Sequence, residues 1–334
     1  MTIQIIAEIG VNHNGSIDLA KKMIDSAMSS GASAVKFQTF KAELLADKNT
    51  PKVHYQNSTT DIKESHFEML KKLELNHNQH FELFEYCKKQ GIEFLSTPYD
   101  VQSAKFLNEL GVKQFKVASA DLIDLPLHEY IASTKKHCLI AIGMATYDEI
   151  EDAISIYQKN KCKFTLLHCV SNYPCKESSL NLSVLPELSK KYNCDIGYSD
   201  HSSYPYASFL AIGLGATVIE KHFTLDKNLP GPDHKASSTP SEFREMVDLI
   251  KRAKLILGKN EKICQNEEME MAKVSRKSIT FSMNVKKDTI VTADMLTNMR
   301  PGTGLKPKMI DKLIGKRINK DFSCGQQPTL NDIE

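Results

Sequence analysis

Short apolar, β-branched runs alternate with amphipathic stretches along the first 258 residues. The runs that predict strands are IQIIAEIG, SAVKFQTF, IEFLSTPY, KQFKVAS, CLIAIGM, KFTLLHCV, CDIGYSDH and TVIEKHFT. Stretches between them, such as SIDLAKKMIDSAMSS and TYDEIEDAISIYQKN, have helical spacing. We expect Asp100 and Thr146 to begin helices, and Gly31, Gly91 and Gly111 to end them.

Eight strand–helix units in about 258 residues predict a (β/α)8 TIM barrel. A doubly wound open sheet is the alternative, because strand order is not visible in a sequence; no GxGxxG follows the first strand. A polar stretch follows, predicted as a linker over residues 259–274. Short strand and turn signals then predict a small separate domain over residues 275–334.

Polar residues cluster where the predicted strands end, which is where a barrel of this kind carries its catalytic groups. They are Glu8, Asn12, His13, Lys36, Gln38, Ser96, Thr97, Lys116, Ser119, His168, Ser171, Tyr173, Ser199, Asp200, His201, Glu220, Lys221 and His222. Strand side chains alternate with period two, so Lys36 shares a face with Gln38, and Glu220 with His222. This parity predicts polar groups that point into the barrel mouth.

These residue types suggest two kinds of ligand. Two histidines on neighbouring strands, His201 and His222, can hold a divalent metal that polarises a carbonyl. Two lysines with hydroxyl groups can bind a phosphorylated anion. Single positions also have structural explanations, since His168 and Asp200 can serve the scaffold and an inward lysine often pairs with a carboxylate. The joint pattern favours a site.

The composition limits the classes of binding partner that we expect. The chain has 334 residues and a net charge of +2, without a basic or acidic block, so neither nucleic acid nor a membrane surface is expected as a partner. The N-terminal MTIQIIAEIG lacks a basic leader, and Glu8 interrupts its apolar run. Eight scattered cysteines without a CxxC pair suggest reduced thiols, so we expect a cytoplasmic protein.

The motifs AEIGVNHNG, VKFQTF, LSTPYD, FKVASAD, LLHCVSNYP, GYSDHSS and IEKHFTLDKNLPGPDHKAS resemble those of the bacterial sialic acid (nonulosonic acid) synthase family. The resemblance favours the N-acetylneuraminate or legionaminate type. The tail, SRKSITFSMNVKKDTIVTADMLTNMRPGTGL, is similar to that family's antifreeze-like (SAF) domain. The resemblance spans essentially the whole chain, and implies a TIM barrel over residues 1–258 followed by a SAF domain over 275–334.

The resemblance also implies the chemistry and its residues. Family members join phosphoenolpyruvate to an N-acylated amino sugar by metal-assisted C–C bond formation and C–O cleavage. The implied catalytic residues are Glu8, Lys116, His201 and His222, the last two binding manganese, with Mg²⁺ or Co²⁺ as alternatives. The implied phosphoenolpyruvate contacts are Lys36, Thr97, Lys116, Ser119, Ser171 and Ser199. The implied sugar contacts are Gln38, Asp121, Tyr173, Asp233 and, from the partner subunit of a domain-swapped homodimer, Arg300.

Three positions depart from the family pattern. Ala141 stands where a hydroxyl residue is common, Asp121 replaces a longer glutamate, and Ser171 replaces an asparagine found in some members. The expected sugar is N-acetylmannosamine or 2,4-diacetamido-2,4,6-trideoxymannose. A pseudaminate-type or other nonulosonate synthase is the alternative enzyme. A non-catalytic sugar-binding homologue is the alternative from another class.

Overall fold

The chain divides into two compact units, Met1–Gly258 and Lys259–Glu334, in a computed structural model that describes residues 3–52, 59–60 and 64–334. The strands of the first unit are β1 Gln4–Gly10, β2 Ala34–Thr39, β3 Glu93–Pro98, β4 Gln114–Val117, β5 His137–Ala141, β6 Phe164–His168, β7 Asp195–Asp200 and β8 Val218–His222. Its helices are α1 Ile17–Ser29, α2 Ala42–Leu45, α3 His66–Leu73, α4 His77–Gln90, α5 Val101–Leu110, α6 Leu125–Ser133, α7 Tyr147–Lys159, α8 Val184–Tyr192, α9 Tyr206–Gly213 and α10 Pro240–Leu257.

The eight strands form one parallel sheet in the order β3-β2-β1-β8-β7-β6-β5-β4. Its two end strands, β3 and β4, lie side by side, so the sheet closes into a barrel. The predicted (β/α)8 barrel is therefore confirmed, and the open doubly wound sheet is not the fold.

The predicted helix boundaries follow local backbone chemistry. The side chains of Asp100 and Thr146 accept hydrogen bonds from the backbone N–H groups three residues later, which begins α5 and α7. Gly91 and Gly111 adopt left-handed backbone angles directly after α4 and α5. Gly31, at φ +96°, follows the end of α1. These predictions are confirmed.

The barrel interior is layered because inward-facing side chains recur every second residue. The lower layer is an apolar cluster of Ile6, Ala34, Leu95, Leu139, Leu167 and Val218. Two residues further along the same strands stand Glu8, Lys36, Thr97, Ala141, Cys169 and Glu220. The apolar layer forms a floor, and the charged groups sit on it. The outward faces of the strands pack against the helices in the main hydrophobic core.

An excursion between β2 and α4 was not among the predicted elements. It carries the short helices α2 and α3. Its apolar side chains form a separate cluster that includes Phe40, Met69 and Leu70 and packs on Val11 at the end of β1. The excursion is thus anchored at the C-terminal end of the barrel by its own small core.

The second unit is described by itself. It contains α11 Met269–Ser275 and an antiparallel pair, β9 Ser278–Phe281 and β10 Leu296–Met299. Its core includes Ile279, Phe281, Ile318 and Phe322. The boundary between the units lies at Gly258, and residues 259–274 belong to the second unit. Its assignment as a SAF domain stays a prediction.

Among the described residues, no helix combines the length and the apolar composition that spanning a bilayer requires.

Candidate active site

A cavity of about 630 Å³ opens at the C-terminal ends of the barrel strands. This volume lies in the range usual for small-molecule sites. The predicted site residues that line it are Glu8, Lys36, Gln38, Thr97, Lys116, Ser119, Asp121, Ser171, Tyr173, Ser199, His201, His222 and Asp233. Arg300 belongs to the second unit, where it is exposed, and its role stays a prediction.

Two buried lysines meet two buried carboxylates on the cavity floor. Lys36 Nζ lies 2.7 Å from Glu8 Oε2 and donates to Thr97 Oγ1 at 2.8 Å. Lys116 Nζ lies 3.6 Å from Glu220 Oε1, which also accepts a hydrogen bond from Ser199 at 2.9 Å. Strand register creates this cluster, because β1 pairs Glu8 with Lys36 on one side and with His222 on the other.

The two carboxylates have opposite pKa shifts. Burial raises the pKa of Glu8, the nearby Glu220 raises it further, and Lys36 offsets only part of this. Burial also acts to raise the pKa of Glu220, but Lys116 and Lys36 outweigh it and the net pKa is lowered. Glu220 is therefore the anionic partner of the lysines, while Glu8 is poised to exchange a proton near neutral pH.

The two predicted metal ligands are neutral imidazoles on adjacent strands. Burial lowers the pKa of His201, and lowers that of His222 to about 3. Their ring centroids are 5.7 Å apart. His201 Nδ1 lies 2.7 Å from the carbonyl oxygen of Val170, so donation there leaves Nε2 as an acceptor. His222 Nδ1 is buried without a hydrogen-bond partner. His201 Nε2 lies 3.4 Å from Ser199 Oγ. Neutral imidazole nitrogens of this kind fit a divalent metal.

The described residues contain no group of three or more His, Cys, Asp or Glu side chains in metal-holding geometry.

Hydroxyl groups converge beside the backbone of Gly143, after β5. The Gly143 N–H donates to Ser119 Oγ at 3.0 Å, and Ser119 Oγ lies 3.0 Å from Cys169 Sγ. A Cβ at Gly143 would lie only 2.4 Å from Ser171 Oγ and 2.9 Å from Ser119 Oγ. Only glycine therefore lets both hydroxyls reach this corner. The hydroxyl groups of Ser119 and Ser171 can donate hydrogen bonds, and they line the same cavity as the ammonium group of Lys116. This corner therefore suits an anion.

The cavity lining also includes the aromatic ring of Tyr173 and the loop after β8. The Tyr173 ring lies 4.2 Å from that of His201 between centroids. Asp233 follows the Pro-Gly-Pro loop after β8. Asn14 Nδ2 donates to the Pro230 carbonyl at 2.7 Å and contacts His234 Nε2 at 3.2 Å, which ties this loop to the end of β1.

Asp121, in the short turn after β4, also lines the cavity, and one of its carboxylate oxygens is buried without a hydrogen-bond partner. Burial, and then the neighbouring Asp124, raise its pKa to about 7. An unsatisfied carboxyl group that lines a cavity suits a polar ligand group.

Not every polar strand-end residue faces the cavity. Asp200 and Lys221 point to the outer face of the sheet, where their side chains pair at 2.9 Å. Strand eight therefore carries the charge of Lys221 on its outer face, where the neighbouring positions Ile219 and Phe223 are apolar. His168 Nε2 lies 2.7 Å from the Leu180 carbonyl and acts as a scaffold residue.

Other cavity residues had no predicted role. Glu220 had been placed on the inward face by its parity with His222, but its ionic contact with Lys116 becomes visible only in the barrel. Cys169 follows β6 and contacts Ser119. The excursion contributes Leu45, Ala46, Thr50, His66 and Leu70. No local pattern signalled this last group, because its position depends on tertiary packing.

Comparison with known proteins gives consistent matches. The model of the NeuB family matches residues 23–262. The N,N'-diacetyllegionaminic acid synthase of Legionella pneumophila is 41% identical over 339 residues, which cover 100% of this chain and 95% of the relative. The pseudaminic acid synthase of Helicobacter pylori is 32% identical, over 99% of this chain and 98% of the relative.

A solved structure is similar as well. The N-acetylneuraminic acid synthetase of Leptospira borgpetersenii, crystallised with citrate, aligns with a TM-score of 0.73 and 37% identity. The alignment covers 81% of this chain and 90% of that one.

Proposed function

Because the chain belongs to the NeuB family, we propose that it is a nonulosonic acid synthase that condenses phosphoenolpyruvate with an N-acylated mannosamine-type sugar. The family expected from the motifs is confirmed. The observation that carries the proposal is the buried cluster in which Lys36 pairs with Glu8 and Lys116 with Glu220, in the same cavity as two histidines whose pKa values burial lowers. The higher identity to a legionaminate synthase than to a pseudaminate synthase supports N-acetylneuraminate or legionaminate as the product.

The chain's own groups account for binding of phosphoenolpyruvate. Lys36 and Lys116 provide positive charge for its carboxylate and phosphate. The Gly143 corner, with Ser119 and Ser171, provides hydroxyl groups for the same anion. Burial acts to lower the pKa of Lys36, but Glu8 and then Glu220 outweigh it and raise that pKa, so Lys36 stays an ammonium group in this buried site.

The reaction joins C3 of phosphoenolpyruvate to the aldehyde carbon of the open-chain sugar. Glu8, whose pKa is raised by burial, supplies the proton that turns the aldehyde oxygen into a hydroxyl group. Water then adds to C2, and phosphate leaves with cleavage of its bond to C2, giving the keto acid. Lys36 and Lys116 stabilise the departing phosphate.

We also propose a manganese-type metal held by His201 and His222. The lowered pKa values of both histidines and the unpartnered Nδ1 of His222 support it. When bound, the metal would supply Lewis-acid polarisation of the sugar carbonyl.

Purified protein should release phosphate from phosphoenolpyruvate only when both Mn²⁺ and an N-acylated mannosamine-type sugar are present, with the nonulosonate detected by mass spectrometry. His201→Ala and His222→Ala should abolish metal-dependent turnover. The control is His77→Ala at an exposed surface position. Full metal-dependent turnover in both ligand variants would refute the metal assignment. Phosphate release without sugar would refute the condensation.

The tail is proposed to be a SAF domain that contributes Arg300 to the partner subunit of a swapped homodimer, in the cytoplasm. The full-length match to a synthase supports the tail assignment, and the free cysteines support a reducing compartment.

Mixing Arg300→Ala subunits with His222→Ala subunits tests whether Arg300 acts in the site of the partner subunit. In a swapped dimer the mixed species regains one complete site, so its activity should exceed that of either variant. Activity equal to their average, despite verified subunit exchange, would refute it.

A further inference from the structure

A thiol group that no step of the proposed reaction uses lies in the corner beside Gly143. Cys169 comes directly after β6, is 4% exposed and lines the cavity. Its Sγ lies 3.0 Å from Ser119 Oγ, and a Cβ at Gly143 would lie only 2.9 Å from the same sulfur. The thiol is therefore a close neighbour of both groups that shape this corner.

The hydrogen-bonding capacity of Ser119 limits what this thiol can do. A serine hydroxyl group has one hydrogen to donate and two lone pairs that accept. The Gly143 N–H donates to Ser119 Oγ at 3.0 Å, which uses one of the lone pairs. Two arrangements remain. Either the hydroxyl hydrogen points to Cys169 Sγ, or the Cys169 S–H donates to the second lone pair.

The second arrangement leaves the hydroxyl hydrogen of Ser119 for a ligand. Burial raises the pKa of the Cys169 thiol, and Ser119 and Lys116 offset only part of this, so the thiol keeps the hydrogen that it would donate. A phosphate or carboxylate anion accepts hydrogen bonds, and the ammonium group of Lys116 in the same cavity favours such an anion. An anion in the corner therefore selects the arrangement in which Ser119 donates to the anion and Cys169 donates to Ser119.

We propose that Cys169 is a positioning residue of the anion site, whose S–H donates to Ser119 Oγ and thereby turns the Ser119 hydroxyl hydrogen toward the bound anion. This deepens the proposed function, on which it rests for the identity of the anion as phosphoenolpyruvate. Because Cys169 acts through Ser119, its removal should change anion affinity only while the Ser119 hydroxyl group is present. A direct contact between the thiol and the anion, or a packing role, would not show this dependence.

Binding of inorganic phosphate, titrated calorimetrically without sugar, metal or phosphoenolpyruvate, is the direct readout. Cys169→Ala removes the donor and should weaken phosphate binding about three- to ten-fold, the range expected for one neutral hydrogen bond. Cys169→Ser restores a donor and should return most of the affinity. Cys87→Ala is the matched control, because Cys87 is a fully buried thiol that does not line the cavity, and its loss should leave phosphate affinity unchanged.

A Ser119→Ala background separates a positioning role from a packing role. In that background Cys169→Ala should have no further effect on phosphate affinity. The inference is overturned by unchanged affinity in Cys169→Ala, by no recovery in Cys169→Ser, or by an equal loss with and without the Ser119 hydroxyl group. A wild-type protein that binds no phosphate overturns it as well. If phosphate binding follows the expected pattern but sugar-dependent release of phosphate from phosphoenolpyruvate fails, the proposed function alone is refuted.

Discussion

Two groups of buried charges lie on opposite faces of the same sheet, and they differ in how completely they are satisfied. On the outer face, Asp200 accepts from the Ser202 backbone N–H and hydroxyl, from the Ser208 hydroxyl and from Lys221. On the inner face, Glu220 Oε2 and His222 Nδ1 are buried without partners. A buried ion pair whose hydrogen-bonding groups are all satisfied stabilises the scaffold. Buried polar atoms that line a cavity and have no hydrogen-bond partner are available to bind a ligand.

The strongest test of this difference between the two faces is to remove Lys221, the lysine on the outer face of the sheet. Lys221→Met leaves Asp200 as a buried, unpaired charge, which costs about 3–5 kcal/mol of stability. We expect a large fall in the urea midpoint of the barrel, and near-normal kcat/KM for the protein that remains folded. The double variant Asp200→Asn/Lys221→Met should recover part of the midpoint. A single variant as stable as the wild type would contradict a scaffold role.

The corresponding substitution on the inner face should lower stability less and weaken substrate binding more. Lys116→Met leaves Glu220 near Lys36, Ser199 and the cavity, so the midpoint should fall less than in Lys221→Met. Loss of a charged contact to phosphoenolpyruvate, about 2–3 kcal/mol, should raise its KM roughly 30- to 150-fold. The KM for the sugar should change far less. Equal effects on both KM values would remove Lys116 from the anion site.

This contrast also marks what a sequence can and cannot predict. Period-two alternation placed Lys36 with Gln38 and Glu220 with His222, because parity is a local property of a strand. The partner of Lys221 could not be predicted in the same way, since Asp200 is 21 residues earlier on a neighbouring strand. The residues that the excursion contributes to the cavity, such as Leu45 and Leu70, were missed for a related reason. The helices of the excursion are short, and their place at the mouth depends on packing against residues that are distant in sequence.

Asp121 extends the comparison to pH, because it is a cavity-lining carboxyl group with one buried oxygen that has no hydrogen-bond partner. Its pKa is about 7 in the folded protein, above the usual value near 4, chiefly because of burial. A raised folded-state pKa contributes stability below the unfolded pKa, and that contribution is lost as pH rises from about 4 through 7. The three-unit shift corresponds to about 4 kcal/mol, of which we expect roughly half, since the cavity admits water. Asp121→Asn should flatten the decline in urea midpoint over this window. An unchanged pH profile would refute the shift.

Ala141 gives the smallest expected effect and the finest test of the inner face. It ends β5 in the charged layer, and the Gly143 corner follows two residues later, with hydroxyl groups from Ser119 and Ser171. Ala141→Ser would add one hydroxyl group to the floor of the anion site. A hydrogen bond to phosphate contributes about 1 kcal/mol, so inhibition by inorganic phosphate should strengthen roughly five-fold. Ala118→Ser, which also lines the cavity but lies outside the corner, is the control. If Ala141→Ser leaves phosphate inhibition unchanged, the hydroxyl groups of Ser119 and Ser171 already satisfy the phosphate, and the absence of a hydroxyl at position 141 has no consequence for binding.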